Sequence, residues 1–219
     1  MLPARYQTRS LREPLIRRIQ ATERLRPGAE ILDVGAGRNP TVPRELRTGC
    51  FYVGLDVAPD ELAYGEYDEV VTADIRVPRP DLFRRFDLVV SCHTFEHVRP
   101  LEDALENIRS YLVPGGRLVA LFSGTFSPQA FANRVIPEAV GRRLIGRAAE
   151  SKFPAHYDRC WASALDRAFA AHWAEYRIEP LYVGANYFPQ AFQRLYLAYE
   201  ERILDRPNLA SHYLVEAAA

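Results

Sequence analysis

The chain has 219 residues, 48% hydrophobic and 26% charged, a balance that suits a single globular domain and excludes a disordered tail. Its 28 basic and 28 acidic side chains cancel, which argues against a broad nucleic-acid surface. No apolar run reaches the roughly 20 residues of a membrane span, and the first residues, MLPARYQTRSLR, lack the apolar core of a secretory leader, so the expected location is cytoplasmic.

In chain order, the pattern predicts a first helix over residues 10–26. Ser10 and Glu13 stand at capping-box spacing, Pro14 falls in the first turn, and Leu11, Leu15, Ile19 and Leu25 form the apolar stripe. Short apolar runs follow at 31–34, 51–55, 70–72, 86–91 and 118–122, the last after the turn Pro114-Gly115-Gly116. Contiguous apolar strands of this length suit a parallel sheet covered on both faces. Leu101, Leu105, Ile108 and Leu112 mark a helix between the last two runs, and strands alternating with helices predict a doubly wound α/β fold. Residues 124–158 are irregular, with Pro128, Pro137 and Pro154 among aromatics, as in a lid or substrate-binding insertion. Trp161, Leu165, Phe169 and Trp173 recur at helical spacing, 177–183 reads as a strand, and Phe188, Phe192, Leu195, Tyr199 and Ile203 mark a further helix with Pro189 near its start. A last short strand is expected at 212–215. Residues 1–219 therefore read as one domain, with a core at 27–123, an insertion at 124–158, and C-terminal helices and strands at 159–219.

The stretch Ile31-Leu32-Asp33-Val34-Gly35-Ala36-Gly37-Arg38-Asn39-Pro40 runs a buried strand into a loop with two glycines. Gly35 and Gly37 let the backbone turn tightly and approach a ligand. Asp56 ends the next strand, where a carboxylate can accept both hydroxyls of a ribose. Together they predict a nucleoside-containing cofactor across the strand ends. A dinucleotide fingerprint would place a third glycine at position 40. Pro40 stands there instead and removes an N–H that a pyrophosphate would use.

These motifs resemble those of the class I S-adenosylmethionine (SAM)-dependent methyltransferases. LDVGAGRNP is similar to the first motif of that family, VGLDV to the second, TADI to the third, FDLVVSCHTFEHV to the fourth strand and its loop, and LVPGGRLVALF to the turn into the fifth strand, in order over residues 28–123. The resemblance implies a Rossmann-like fold with a seven-stranded, mostly parallel sheet, helices on both faces and a small lid. It implies that SAM meets the backbone of Gly35, Ala36 and Gly37, that Asp33 orients this loop or meets the SAM amino group through water, and that Asp56 binds the ribose. It further implies that Asp74 binds the adenine amino group with Ile75 packed nearby, and that Cys92 touches the ribose or adenine edge. Asn39 stands where many members carry a third glycine, and Asn tolerates left-handed backbone.

Methyl transfer needs the acceptor held in line with the donor, and a hydroxyl acceptor also needs a base. His93, just past the fourth strand, is the candidate base; a loop histidine bonded to backbone is the alternative. His93, Glu96 and His97 form H-x-x-E-H. A similar loop in the quinone-biosynthesis O-methyltransferases carries E-x-x-E-H and can hold a divalent ion; His93 replaces the first carboxylate, hard ions prefer oxygen ligands, and no metal is expected. His156, with Tyr157 and Asp158, could reach the acceptor from the lid, while Asp158 equally suits a helix cap. Tyr182, Tyr187, Phe188 and Phe192 could line an acceptor pocket or pack as core. The layout after residue 124 resembles methyltransferases of polysaccharide or natural-product pathways, so O-methylation of a small molecule or sugar leads and N-methylation follows. A SAM-fold protein that binds without methylating, and a dinucleotide-dependent oxidoreductase, are the rival readings.

Overall fold

The computed structural model describes residues 12–128, 154–188 and 190–219, together with Pro3, Tyr6, Ala130 and Phe131. Seven strands form one sheet: β1 Glu30–Val34, β2 Phe51–Asp56, β3 Glu69–Thr72, β4 Phe86–Cys92, β5 Leu112–Ser123, β6 Glu175–Leu181 and β7 His212–Ala218. Their spatial order is β3-β2-β1-β4-β5-β7-β6. Every pairing from β3 to β5 is parallel, and β7 runs antiparallel to both of its neighbours. Chain order reverses between β1 and β4, so a crevice opens at their carboxyl ends, where ligands of open α/β sheets bind.

Side chains on β1 alternate between two cores. Ile31 joins Leu15 and Ile19 of α1 (Arg12–Ala21), together with Leu88, Val90, Val119 and Leu214. Leu32 and Val34 face the other way, into the cluster that holds α3 (Leu101–Tyr111) and α4 (Ala162–His172). Two further α-helices are α2, a single turn at Pro59–Leu62, and α5, Gln190–Glu200. Contiguous apolar runs are buried on both faces in β1, β4 and β5, but not at the sheet edges: Val70 of β3 stays 54% exposed, and β6 has no fully buried residue.

Several boundaries differ from the sequence reading. α1 ends at Ala21, short of residue 26, and the expected cap at Ser10 lies outside the described residues. β5 begins at Leu112, because Leu112 already pairs with Phe86 before the Pro114–Gly116 turn shifts the register. Most of the expected lid, residues 132–153, lies outside the described residues. No described helix is long and apolar enough to cross a membrane.

Candidate functional site

The loop after β1 is held from below by Asp33, a fully buried carboxylate. Its Oδ2 accepts hydrogen bonds from the Thr41 backbone N–H and the Tyr52 hydroxyl, each at 2.7 Å, and Oδ1 accepts from Thr41 Oγ1 at 2.8 Å. Burial pushes the Asp33 carboxyl up to about 6, against the pull of these donors. Tyr67 secures the same loop from above: its hydroxyl donates to the carbonyls of Ala36 (2.8 Å) and Gly37 (3.1 Å), and its ring stacks on Tyr52 with centroids 5.7 Å apart. A Cβ on Gly54 would come within 2.8 Å of the Tyr67 ring, so that strand position is glycine to admit it. Gly35 and Gly37 have φ of +70° and +54°, and a Cβ at Gly35 would lie 2.0 Å from Thr94 Oγ1.

A cleft of about 490 Å³ opens over this loop. Its walls include Gly35, Gly37, Asp56, Asp74, Ile75 and His93, with Thr94, Arg76, His97 and His156. Asp56 accepts from the Gly37 N–H (3.1 Å) and the Ala58 N–H (2.9 Å). A carboxylate has about four lone-pair positions, so acceptor capacity remains for a diol. Asp74 is bound by the Arg76 guanidinium through both oxygens, and that hydrogen bond holds its carboxyl below the usual range. The glycine loop, the carboxylate at the end of β2 and the one beyond β3 thus line one cleft.

Three expected ligand residues do not line this cleft. Asp33 lies beneath the loop and bonds Thr41 and Tyr52, which suits the loop-orienting role. Ala36 is buried and offers its carbonyl to Tyr67. Cys92 points into the core beside α1, where burial pushes its thiol up to about 11, so it stays protonated at neutral pH. Phe192 lies exposed on α5 and does not line the cleft. The sequence reading missed Tyr67, Thr41 and Arg76.

At the far end of the cleft stands His93, in left-handed backbone (φ 59°), its N–H bonded to Leu121 O at 2.7 Å. Its Nδ1 lies 3.2 Å from Glu96 Oε1. Glu96 is 3% exposed. Burial alone would raise its carboxyl; the hydrogen bond and charge of His93, with the charge of His97, outweigh that and hold it low. Glu96 Oε1 also accepts from Ser123 N at 3.3 Å, while Oε2 and Ser123 Oγ, both buried, have no partner among the described residues. The His93 ring meets His212 edge-on, with centroids 5.7 Å apart, and burial, aided by His93, drives His212 down to about 3, so it is neutral.

The segment carrying His156 is tied to this loop. The N–H groups of His156 and Tyr157 both donate to Glu96 O at 2.8 Å, and His97 Nδ1 lies 3.1 Å from Pro154 O. Asp158 caps a helix, but α3 and not the next one in sequence: its Oδ2 accepts from Leu101 N at 3.2 Å. His97 thus braces the segment. Among the described residues, no group of three or more His, Cys, Asp or Glu side chains could hold a metal ion.

A family model described as a methyltransferase domain matches residues 4–170, well over half of the chain. A demethylmenaquinone methyltransferase of Corynebacterium glutamicum is 27% identical over 154 residues, which is 66% of either chain, so this chain spans just under two thirds of that relative. Among solved structures, a SAM-dependent methyltransferase from Archaeoglobus fulgidus superposes with a TM-score of 0.56 at 18% identity over 96% of both chains. Phosphoethanolamine N-methyltransferase 2 of Haemonchus contortus, solved with SAM, does so at 0.56 and 14% over 94% of this chain and 51% of its own. The structural likenesses establish the fold, and the family match over most of the chain establishes its membership: this chain belongs to the methyltransferase-domain family.

Proposed function

We propose that the enzyme methylates oxygen on a small hydroxyl-bearing acceptor, with His93 as the proton acceptor. One observation carries this reading: the His93 ring lines the cleft while its Nδ1 is paired with a buried, ionised Glu96. That carboxylate keeps the proton on Nδ1, so Nε2 is the nitrogen left to take a proton. An amine attacks through its own lone pair, whereas a hydroxyl gains nucleophilicity by giving up its proton as it attacks. SAM supplies an activated methyl on a positive sulfur. The chain's own residues do the rest: the glycine loop, Asp56 and Asp74 fix the donor, His93 removes the proton, and the 154–158 segment closes the cleft wall beside it.

The acceptor class is tested by a product screen. A panel of hydroxylated compounds is offered with SAM, including glycan precursors, as the layout after residue 124 suggests, and a quinone-type ring, as the C. glutamicum relative's name suggests. S-adenosylhomocysteine (SAH) release is followed, and the product methyl is located by NMR. With an active acceptor, His93→Gln lowers kcat by roughly 10²–10⁴-fold and leaves SAH affinity unchanged. Full kcat in His93→Gln sinks the base assignment, and a methyl on nitrogen sinks the O-methyl reading in favour of N-methylation.

A further inference from the structure

The buried carboxylate beside His93 is served on one oxygen only. Glu96 Oε1 lies 3.2 Å from His93 Nδ1 and accepts from the Ser123 N–H at 3.3 Å. Its Oε2 is buried and has no hydrogen-bond partner among the described residues, and the same holds for Ser123 Oγ. These two atoms belong to groups already in contact: Oε2 shares a carbon with Oε1, and Oγ is carried by the residue whose N–H reaches Oε1. Ser123 is the last residue of β5, is fully buried, and stands opposite His212 of β7. A bare carboxylate oxygen and a bare hydroxyl in the interior each cost the hydration they have lost, and one hydrogen bond between them relieves both.

We propose that Ser123 is a positioning residue for His93: its hydroxyl donates to Glu96 Oε2, by a turn of the side chain or through one bound water, and so keeps Glu96 as the carboxylate that orients the His93 ring. The proposal rests on the reading of His93 as the proton acceptor. That reading asks more of Glu96 than the tautomer of a neutral ring. When His93 takes a proton on Nε2, both ring nitrogens carry protons, and the imidazolium needs its counter-charge. A carboxylate with a donor on each oxygen resists protonation better than one served on Oε1 alone. Without the Ser123 hydroxyl, Glu96 takes the Nδ1 proton more readily and the ring loses that counter-charge. The titratable groups that face Glu96 from the surrounding elements have other engagements. His97, on the same loop, has Nδ1 at 3.1 Å from Pro154 O. Cys92 ends β4, and burial pushes its thiol up to about 11. Cys160 donates its thiol to Asp158 O, and the Asp158 carboxylate is bonded to Leu101 N. His212 of β7 is neutral and bonded to Ser211 Oγ at 3.1 Å. Ser123 is the neighbour whose donor is unused among the described residues and whose backbone already touches the carboxylate.

The test is a carbon-13 NMR titration of the full chain labelled at its glutamate side-chain carboxyls. The Glu96 resonance is assigned by its loss in Glu96→Gln. Ser123→Ala is expected to move the Glu96 titration up by about one pH unit, a tenfold gain in proton affinity and the scale of one hydrogen bond to a charged group. Should Ser123→Ala fail to fold, Ser123→Cys keeps the side-chain volume with a weaker donor and moves the titration in the same direction. With an active acceptor, Ser123→Ala is also expected to lower kcat by about tenfold, the same free energy read as a rate, with KM and SAH affinity unchanged. A Glu96 titration that is unchanged in the folded variant, or that moves down, overturns the proposal. The failures are distinguishable, because the titration is read without turnover. A raised titration together with full kcat in His93→Gln overturns the base assignment and the positioning role with it. An unchanged titration together with lost kcat in His93→Gln overturns the role of Ser123 alone.

Discussion

Replacing Asp33 by Asn should change how stability depends on pH more than it changes stability itself. The native carboxyl lies near 6 because of burial, while the unfolded chain holds it near 3.9. Between those values the folded state binds the proton more tightly. Stability from this group is thus fully present at low pH and is lost as pH rises through about 6. Linkage gives about 2 kcal/mol of added stability between about pH 7.5 and about pH 4.5, out of about 3 kcal/mol for the whole shift. Asn removes the titration and can keep the bonds. Its oxygen can take the place of Oδ2, accepting from Thr41 N and Tyr52 Oη, while its NH2 replaces Oδ1 and donates to Thr41 Oγ1 once that hydroxyl rotates. The assay is urea denaturation of both proteins across this range. Other carboxyls held low, among them Asp74 and Glu96, act in the opposite sense in both proteins and cancel in the comparison. Wild type should gain on Asp33→Asn by about 2 kcal/mol as pH falls. A flat difference, or one that grows as pH rises, would show that Asp33 is not a carboxyl raised by burial.

Two further substitutions probe the glycine loop. Gly35→Ala forces a Cβ onto the Thr94 side chain at positive φ, whereas Gly37→Ala meets open space at a similar φ; thermal melts should show the second losing about 1–2 kcal/mol for the left-handed backbone alone and the first losing more, and equal losses would remove Thr94 as the constraint. Tyr67→Phe deletes the hydroxyl that bonds the carbonyls of Ala36 and Gly37 while leaving the stack on Tyr52; calorimetry should find SAH bound more weakly with a stability loss of about 1 kcal/mol, and unchanged SAH affinity would separate the Tyr67 clamp from cofactor binding.

What was legible in the sequence was local. The run from Ile31 into Gly35 and Gly37 announces its strand and turn through burial pattern and backbone freedom alone, and Asp56 follows from ending the next apolar run. What was not legible depends on partners distant in the chain. The residues beside Asp33 in sequence do not show that Tyr52 and Thr41 converge on its carboxylate. Asp158 suited a helix cap, but its neighbours in sequence do not show that the 154–158 segment folds back against the H-x-x-E-H loop and caps α3. Tyr67 did leave a signal: a glycine inside a buried strand, Gly54, points to close approach by another group. Helical periodicity located α5 but not its surroundings, since Phe192 and Leu195 on its apolar stripe are 59% and 74% exposed.

The same division explains the shape of the site. The cofactor half is built from turns and strand ends that few residues specify, so a short motif is enough to identify it. A second cleft, on the α1 side of the sheet, draws on α1, β5, β6 and β7, with residues spread from Pro14 to Leu214. No contiguous motif can encode such a surface. Its chemistry becomes readable only when β7 inserts antiparallel between β5 and β6 and sets His212 against His93. A change confined to β6 and β7 therefore leaves the glycine loop after β1 and its Asp33 and Tyr67 supports intact.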